Sequence, residues 1–213
     1  GFIESAKKES VDAILEATNL KSEGKAQRVI VAGCLVERYR DDLIKELPEV
    51  DAFIGTNEVE RILEAADDSV KFGSLPLHPI GNKSATYLYD FDTPRFRATE
   101  SHTAFIKIAE GCDRPCAFCS IPSMRGSFRS RRFGSILKEA EDLARQGVRE
   151  VVLIAQDSSR FGEDLGETDA LAKLIRALGE VRDLEWIRVM YAYPTHISDA
   201  FLAAIAETPK VVK

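Results

Sequence analysis

Cys112, Cys116 and Cys119 stand in the stretch Gly111-Cys112-Asp113-Arg114-Pro115-Cys116-Ala117-Phe118-Cys119, so three of the four cysteines fall within eight residues. Soft thiolates at these intervals, on a loop loosened by Gly111 and held out of helix by Pro115, can converge on one metal centre without long-range folding. Zinc would want a fourth ligand, and His78, His102, His196 and Cys34 are the candidates, none at a familiar finger spacing. An iron-sulfur cluster can instead leave one iron without a protein ligand, open to a substrate or cofactor. Three ligands therefore point to chemistry rather than electron storage, which ordinarily takes four cysteines. The blandest reading, unrelated buried thiols or a disulfide and a spare, gives no reason for the clustering.

The elements that must hold this loop follow from hydrophobic periodicity. Ala104-Phe105-Ile106-Lys107-Ile108-Ala109 reads as a strand leading into the cysteines. A helix follows over about 135–146, a strand over 150–155, a helix over about 168–181, a strand over 186–191 and a helix over about 198–207. Val211-Val212 begins a fourth strand. Three βα units and this start fit one side of a (βα) barrel, whose active site lies at the C-terminal ends of the strands. A doubly wound sheet is the alternative and puts the same loops at the same edge. The cysteine loop, Gln156-Asp157-Ser158-Ser159 and Tyr193-Pro194-Thr195-His196 all occupy such ends.

Upstream, residues 3–18 read as an amphipathic helix ending near Asn19, and 28–33 as a short apolar strand before Cys34. A helix over 37–47 closes at Pro48, a second strand covers 51–55, and Asn57 can cap a helix to residue 66. The expected class is α/β: a partial, small open α/β N-terminal domain over 1–66, a linker over 67–103 and a partial (βα) barrel over 104–213. The linker is punctuated by Gly73, Pro76, Pro79, Gly81 and Pro94 and has one strand-like run, 85–91.

The chain has 213 residues, 45% of them hydrophobic, enough for a sizeable core and too apolar for disorder. A net charge of -6 gives no overall attraction to nucleic acid. Arg125, Arg129, Arg131 and Arg132, with no acidic residue among them, form a local exception suited to an anion or to a solvated helix start. No stretch approaches the roughly 20 apolar residues of a membrane span, and residues 1–8 lack a signal-peptide core. A cytoplasmic location is expected, where thiols stay reduced and available to metal.

At its cysteines the chain resembles the radical S-adenosylmethionine enzymes, whose signature is C-x3-C-x2-C with an aromatic residue before the last cysteine, here Phe118. The resemblance implies a [4Fe-4S] cluster on Cys112, Cys116 and Cys119, S-adenosylmethionine on its open iron, and Phe118 beside the adenine. The text from Ile108 to Arg131, with Ala155-Gln156-Asp157, Phe161-Gly162 and Tyr193-Pro194-Thr195-His196, is similar to the methylthiotransferases. Within them it looks like the branch that modifies a ribosomal protein. The transfer-RNA branch usually has tyrosine in place of Phe118 and a different stretch before Arg125-Gly126.

That resemblance implies a second [4Fe-4S] cluster, with Cys34 as its third ligand and the first two upstream of residue 1. Cys34 alone would read as a small buried hydrophobe. It implies a downstream continuation through the rest of the barrel to a substrate-recognising β-barrel domain, so the chain is expected to be a fragment. It implies radical cleavage of S-adenosylmethionine, hydrogen removal from an unactivated carbon, and methylthiolation of an aspartate β-carbon on the twelfth small-subunit ribosomal protein. Gln156, Asp157 and His196 are the further candidate cofactor contacts, against loop-capping roles for the first two and a surface role for His196. A flavodoxin or ferredoxin would be the one-electron donor, with ribosomal RNA near the target. The alternatives are a transfer-RNA adenosine methylthiotransferase and a non-catalytic zinc module.

Overall fold

The computed structural model describes residues 2–67, 87–98 and 100–213. They form two compact units. One comprises the described residues up to Tyr87 with Asp113–Ser127; the other comprises Leu88–Cys112 with Phe128–Lys213. Of the expected linker, residues 68–86 and 99 lie outside the described residues, as does His78.

In the first unit, helix α1 spans Glu4–Ser22. It passes Asn19, the expected stop, because the left-handed turn is supplied further on by Gly24 at φ 74. Strands β1 (Ile30–Ala32) and β2 (Ala52–Ile54) pair in parallel, Ile30 opposite Ala52. Between them α2 runs over Cys34–Glu46, beginning at the cysteine rather than at residue 37. Gly33, at φ 119, lets the chain turn from strand into helix within one residue, which a residue with a Cβ rarely permits. The helix expected from Asn57 is reduced to a 3-10 turn, Val59–Arg61, and the short α3, Ile62–Ala66. Asn57 does not cap it: the Glu58 carboxylate accepts from Gly55 N at 2.7 Å and pairs with buried Arg40, and these contacts fix a turn where the helix would start. Ile14, Val29, Leu35, Val36, Leu43, Leu47, Val50 and Phe53 make the core. The unit also contains α4, Ile121–Arg125, which packs on α2.

The second unit is built on three parallel strands in the order β3 (Thr103–Lys107), β6 (Glu150–Ile154), β7 (Trp186–Val189). Thr103 lies opposite Glu150, and Glu150 opposite Trp186. β4 (Ala109–Glu110) pairs antiparallel with β5 (Arg129–Ser130). Helices α5 (Phe133–Arg145), α6 (Ala170–Gly179) and α7 (Asp199–Glu207) follow the three strands as expected. Ala104, Ile106, Val151, Leu153 and Ile187 point from the strands into a core closed by Ile136, Leu174, Leu178 and Ala204. Val211 forms a parallel bridge to Ile187, which is the expected start of a further strand. No strand forms over 87–91, the described part of the strand-like run. Phe91 N there donates to Ser135 Oγ of α5 at 3.2 Å instead of joining a ladder.

Among the described residues no helix is long and apolar enough to cross a membrane.

Candidate metal centre and strand-end site

In the second unit, β3 and β4 aim the chain toward the cysteines. Ile108 N donates to Ile154 O at 2.9 Å, and Arg131 N to Ile108 O at 2.8 Å, so the stem of the loop is tied both to the sheet and to its returning strand. Gly111, at φ 81, makes the turn out of the stem, and Glu110 Oε1 accepts its N–H at 3.1 Å. Glu110 is buried and pairs with Lys107. On β5, burial pushes the Arg129 guanidinium below its usual range against the opposing pull of Glu110 and Asp164. Asp164 accepts from Ser130 N at 2.9 Å and from Ser130 Oγ, while Ser130 Oγ accepts from Gly162 N at 2.8 Å. Cys112, half-buried, ends this segment.

In the first unit, Cys119 N donates to Cys116 O at 3.0 Å, closing a turn around Phe118. The Phe118 ring is 83% exposed. Pro122 stands in the first turn of α4, where its missing N–H costs nothing, and Gly126 at φ 72 ends it. Met124 is buried, and its carbonyl accepts from Thr56 Oγ1 at 2.8 Å. Arg125 Nη2 donates to Cys34 Sγ at 3.4 Å. Cys34 is the first residue of α2, where a helix presents unpaired N–H groups to an anionic atom. Beside it, burial raises the Glu37 carboxyl above its ordinary value, although Thr56 N donates to it at 3.0 Å.

None of the four cysteines forms a disulfide, and all are half-buried. Among the described residues no set of three or more His, Cys, Asp or Glu side chains is gathered as a ready-made metal cage. His102 and His196, two of the candidate zinc ligands, are exposed.

The second unit brings two of the sequence-selected stretches together at the C-terminal edge of its sheet. Ser158, fully buried, donates from N to Tyr191 O at 3.0 Å and from Oγ to Met190 O at 2.6 Å. Tyr193 N donates to Ser159 Oγ at 3.2 Å. Asp157 is buried, and its carboxylate accepts from Ser159 N and Ser159 Oγ, a loop-capping geometry. Gln156 Oε1 is buried and has no hydrogen-bond partner among the described residues. His196 ends a 3-10 turn, Pro194–His196.

Sequence reasoning missed Tyr191, whose backbone sits in the left-handed region at φ 62 and whose ring is exposed. A non-glycine residue held there marks local strain of the kind found at working sites. Its only signal in the sequence is its place at the end of the expected strand over 186–191. Of the four clustered arginines, Arg131 is buried, donating to Lys107 O at 2.9 Å and to Glu139 at 2.6 Å, which removes it from both the anion-steering and the solvated-face readings. Arg132 is exposed at the start of α5.

Residues 1–55 match the model of the Uncharacterized protein family UPF0004. The chain is 50% identical over its whole length to the ribosomal protein uS12 methylthiotransferase RimO of Solibacter usitatus, covering 44% of that protein. It is 44% identical, again over its whole length, to the protein of the same name from Koribacter versatilis, covering 50% of it. The chain thus spans about half the length of the curated relatives it matches. Among solved structures, the radical S-adenosylmethionine methyltransferase TsrM from Kitasatospora setae superposes with a TM-score of 0.63 over 93% of this chain and 43% of its own, at 14% identity, a likeness of fold. Residues 106–212, half of the chain, match the Radical SAM superfamily model, and the chain belongs to that superfamily.

Proposed function

We propose that the protein is a radical S-adenosylmethionine methylthiotransferase acting on an aspartate β-carbon of ribosomal protein uS12. The observation that carries this reading is the C-x3-C-x2-C loop of Cys112, Cys116 and Cys119, embedded in a chain 43–50% identical to relatives bearing that name. The residues fit the cofactors by their chemistry: a clustered set of soft thiols free of disulfides suits a [4Fe-4S] cluster, and the buried, unpartnered Gln156 Oε1 suits a donor such as an amino group. When bound, cluster and S-adenosylmethionine supply radical chemistry able to take hydrogen from an unactivated carbon, which no acid or base of the protein can do.

The chain's own residues hold and orient. Cys112, Cys116 and Cys119 would ligate the first cluster, and Cys34 contributes to a second, auxiliary one. Phe118 offers an exposed ring for the adenine. Gln156 accepts from the cofactor, Asp157 keeps the Gln156 to Ser159 turn in shape, and His196, exposed at the same strand ends, would contact the cofactor. The domain reading that accompanies this is a methylthiotransferase α/β domain over 1–66, a linker over 67–103 and a partial barrel over 104–213. Its partners are uS12 and a one-electron donor of flavodoxin or ferredoxin type, in the cytoplasm.

The test is an assay of the natural full-length protein, reconstituted anaerobically and offered uS12 and transfer RNA in parallel. Mass spectrometry should find the methylthio group on an aspartate of uS12. Modification of the RNA alone would replace this reading with the transfer-RNA activity.

A further inference from the structure

We propose that Arg125 is a positioning residue for the cluster held by Cys34, donating a charge-assisted hydrogen bond to the ligating sulfur and holding that cluster's reduction potential up. The inference rests on the reading of Cys34 as an auxiliary-cluster ligand. Its own ground is the 3.4 Å separation between Arg125 Nη2 and Cys34 Sγ within one unit of the fold.

Three features make this contact more than an incidental approach. The backbone bearing Arg125 is fixed, since neighbouring Met124 is buried and its carbonyl is bound by Thr56 Oγ1. The backbone bearing the sulfur is equally fixed, because Cys34 opens α2 directly after the tight Gly33 turn. A guanidinium keeps its charge throughout the working pH range and presents its N–H groups in a rigid plane, so donor and charge arrive together. Hydrogen bonds to cluster sulfurs and local positive charge ease the addition of an electron, so such a donor raises the potential of the cluster whose ligand it touches. Arg125 follows Cys119 by six residues, so the segment bearing two of the first cluster's cysteines also carries the group that touches the second cluster's ligand.

The experiment uses the natural full-length protein, reconstituted anaerobically with ferrous iron and sulfide and titrated potentiometrically by electron paramagnetic resonance. Cys34→Ser identifies the cluster concerned as the iron and the resonance that it removes. If Cys34→Ser keeps all of both, the ligand reading itself fails, whatever Arg125 does. Given that loss, Arg125→Gln should retain the iron and lower the midpoint of that resonance by roughly tenfold in the reduction constant, about 59 mV for one electron. Arg125→Lys, which keeps the charge without the planar fork, should show a smaller shift in the same direction. A clamp of purely structural importance would leave the midpoint in place. An unchanged midpoint in Arg125→Gln with its iron intact overturns the proposal. Where Arg125→Gln does not retain the iron, an unchanged midpoint in Arg125→Lys overturns it instead.

Discussion

The two units hold their loops by different means. In the second, three parallel strands bury Ala104, Ile106, Val151, Leu153 and Ile187 under α5, α6 and α7, an apolar frame from whose strand ends the polar loops project. In the first, a two-stranded sheet and a smaller apolar cluster are joined by buried ionic contacts, Arg40 with Glu58 and Glu58 with Gly55 N. An apolar frame tolerates variation in its loops, because burial is non-directional and roughly proportional to area. A small core held by ions is directional, and losing one partner strands the other.

The sharpest break of this contrast is Glu58→Ala. It leaves the buried Arg40 guanidinium without its carboxylate and should cost about 4 kcal/mol of first-unit stability. Arg40 Nε already lacks a partner among the described residues, so adding Arg40→Met should recover more than half of that loss. Denaturant unfolding followed by hydrogen exchange in α2 reads both numbers, and a double variant no better than Glu58→Ala would remove the ionic account.

Next in size is Leu174→Ala in the second unit. Leu174 is fully buried, and its truncation should cost about 3 kcal/mol through lost burial and the cavity left behind. The sole tryptophan, Trp186, lies in β7 of the same unit, so its fluorescence follows this unit's unfolding. Glu58→Ala, in the first unit, should leave that transition within about 0.5 kcal/mol of its original position if the two units unfold independently.

A smaller effect, with a pH signature, is expected at Asp51. Burial pushes its carboxyl up, but the Lys21 ammonium and the Val29 N–H outweigh this and hold it below its ordinary value. A carboxylate lowered on folding adds stability at pH above its unfolded value of 3.8, and that stability is lost as pH falls through the folded value. Asp51→Asn should cost about 1 kcal/mol at neutral pH, discounted for partial exposure, and nothing in strong acid. Glu37 has the opposite sign: its raised carboxyl makes ionisation above 4.5 a cost to folding. A first-unit stability curve equally steep in acid with and without Asp51 would contradict the assignment.

The smallest expected change is at Ser198, whose hydroxyl accepts from Phe201 N at 3.2 Å as the cap of α7. Ser198→Ala should cost about 0.5 kcal/mol in the second unit alone, read by the same Trp186 transition.

What the sequence made legible divides along the same line. The strands and helices of the second unit announce themselves through alternation and helical periodicity, because burial there depends on residue type rather than on particular partners. Gln156 to Ser159 and Tyr193 to His196 could be placed at strand ends for the same reason. In the first unit, the start of α2 at Cys34 depended on the backbone of Gly33, and the shortening of the helix after Asn57 depended on Glu58 finding Arg40 across 18 residues. The Arg125 contact to Cys34 spans 91 residues and leaves no trace in either local pattern. Arg131 reads in sequence as one of four exposed cations, and only its partners Glu139 and Lys107 reveal a buried strut.

The most direct test of the account is the iron and acid-labile sulfide content of the anaerobically reconstituted protein with Cys112, Cys116 and Cys119 changed together to alanine. The account predicts a loss of about four iron and four sulfide per chain relative to the unaltered protein, with its visible absorption reduced accordingly. Iron and sulfide unchanged by the triple substitution, or stoichiometric zinc in place of both, would contradict it.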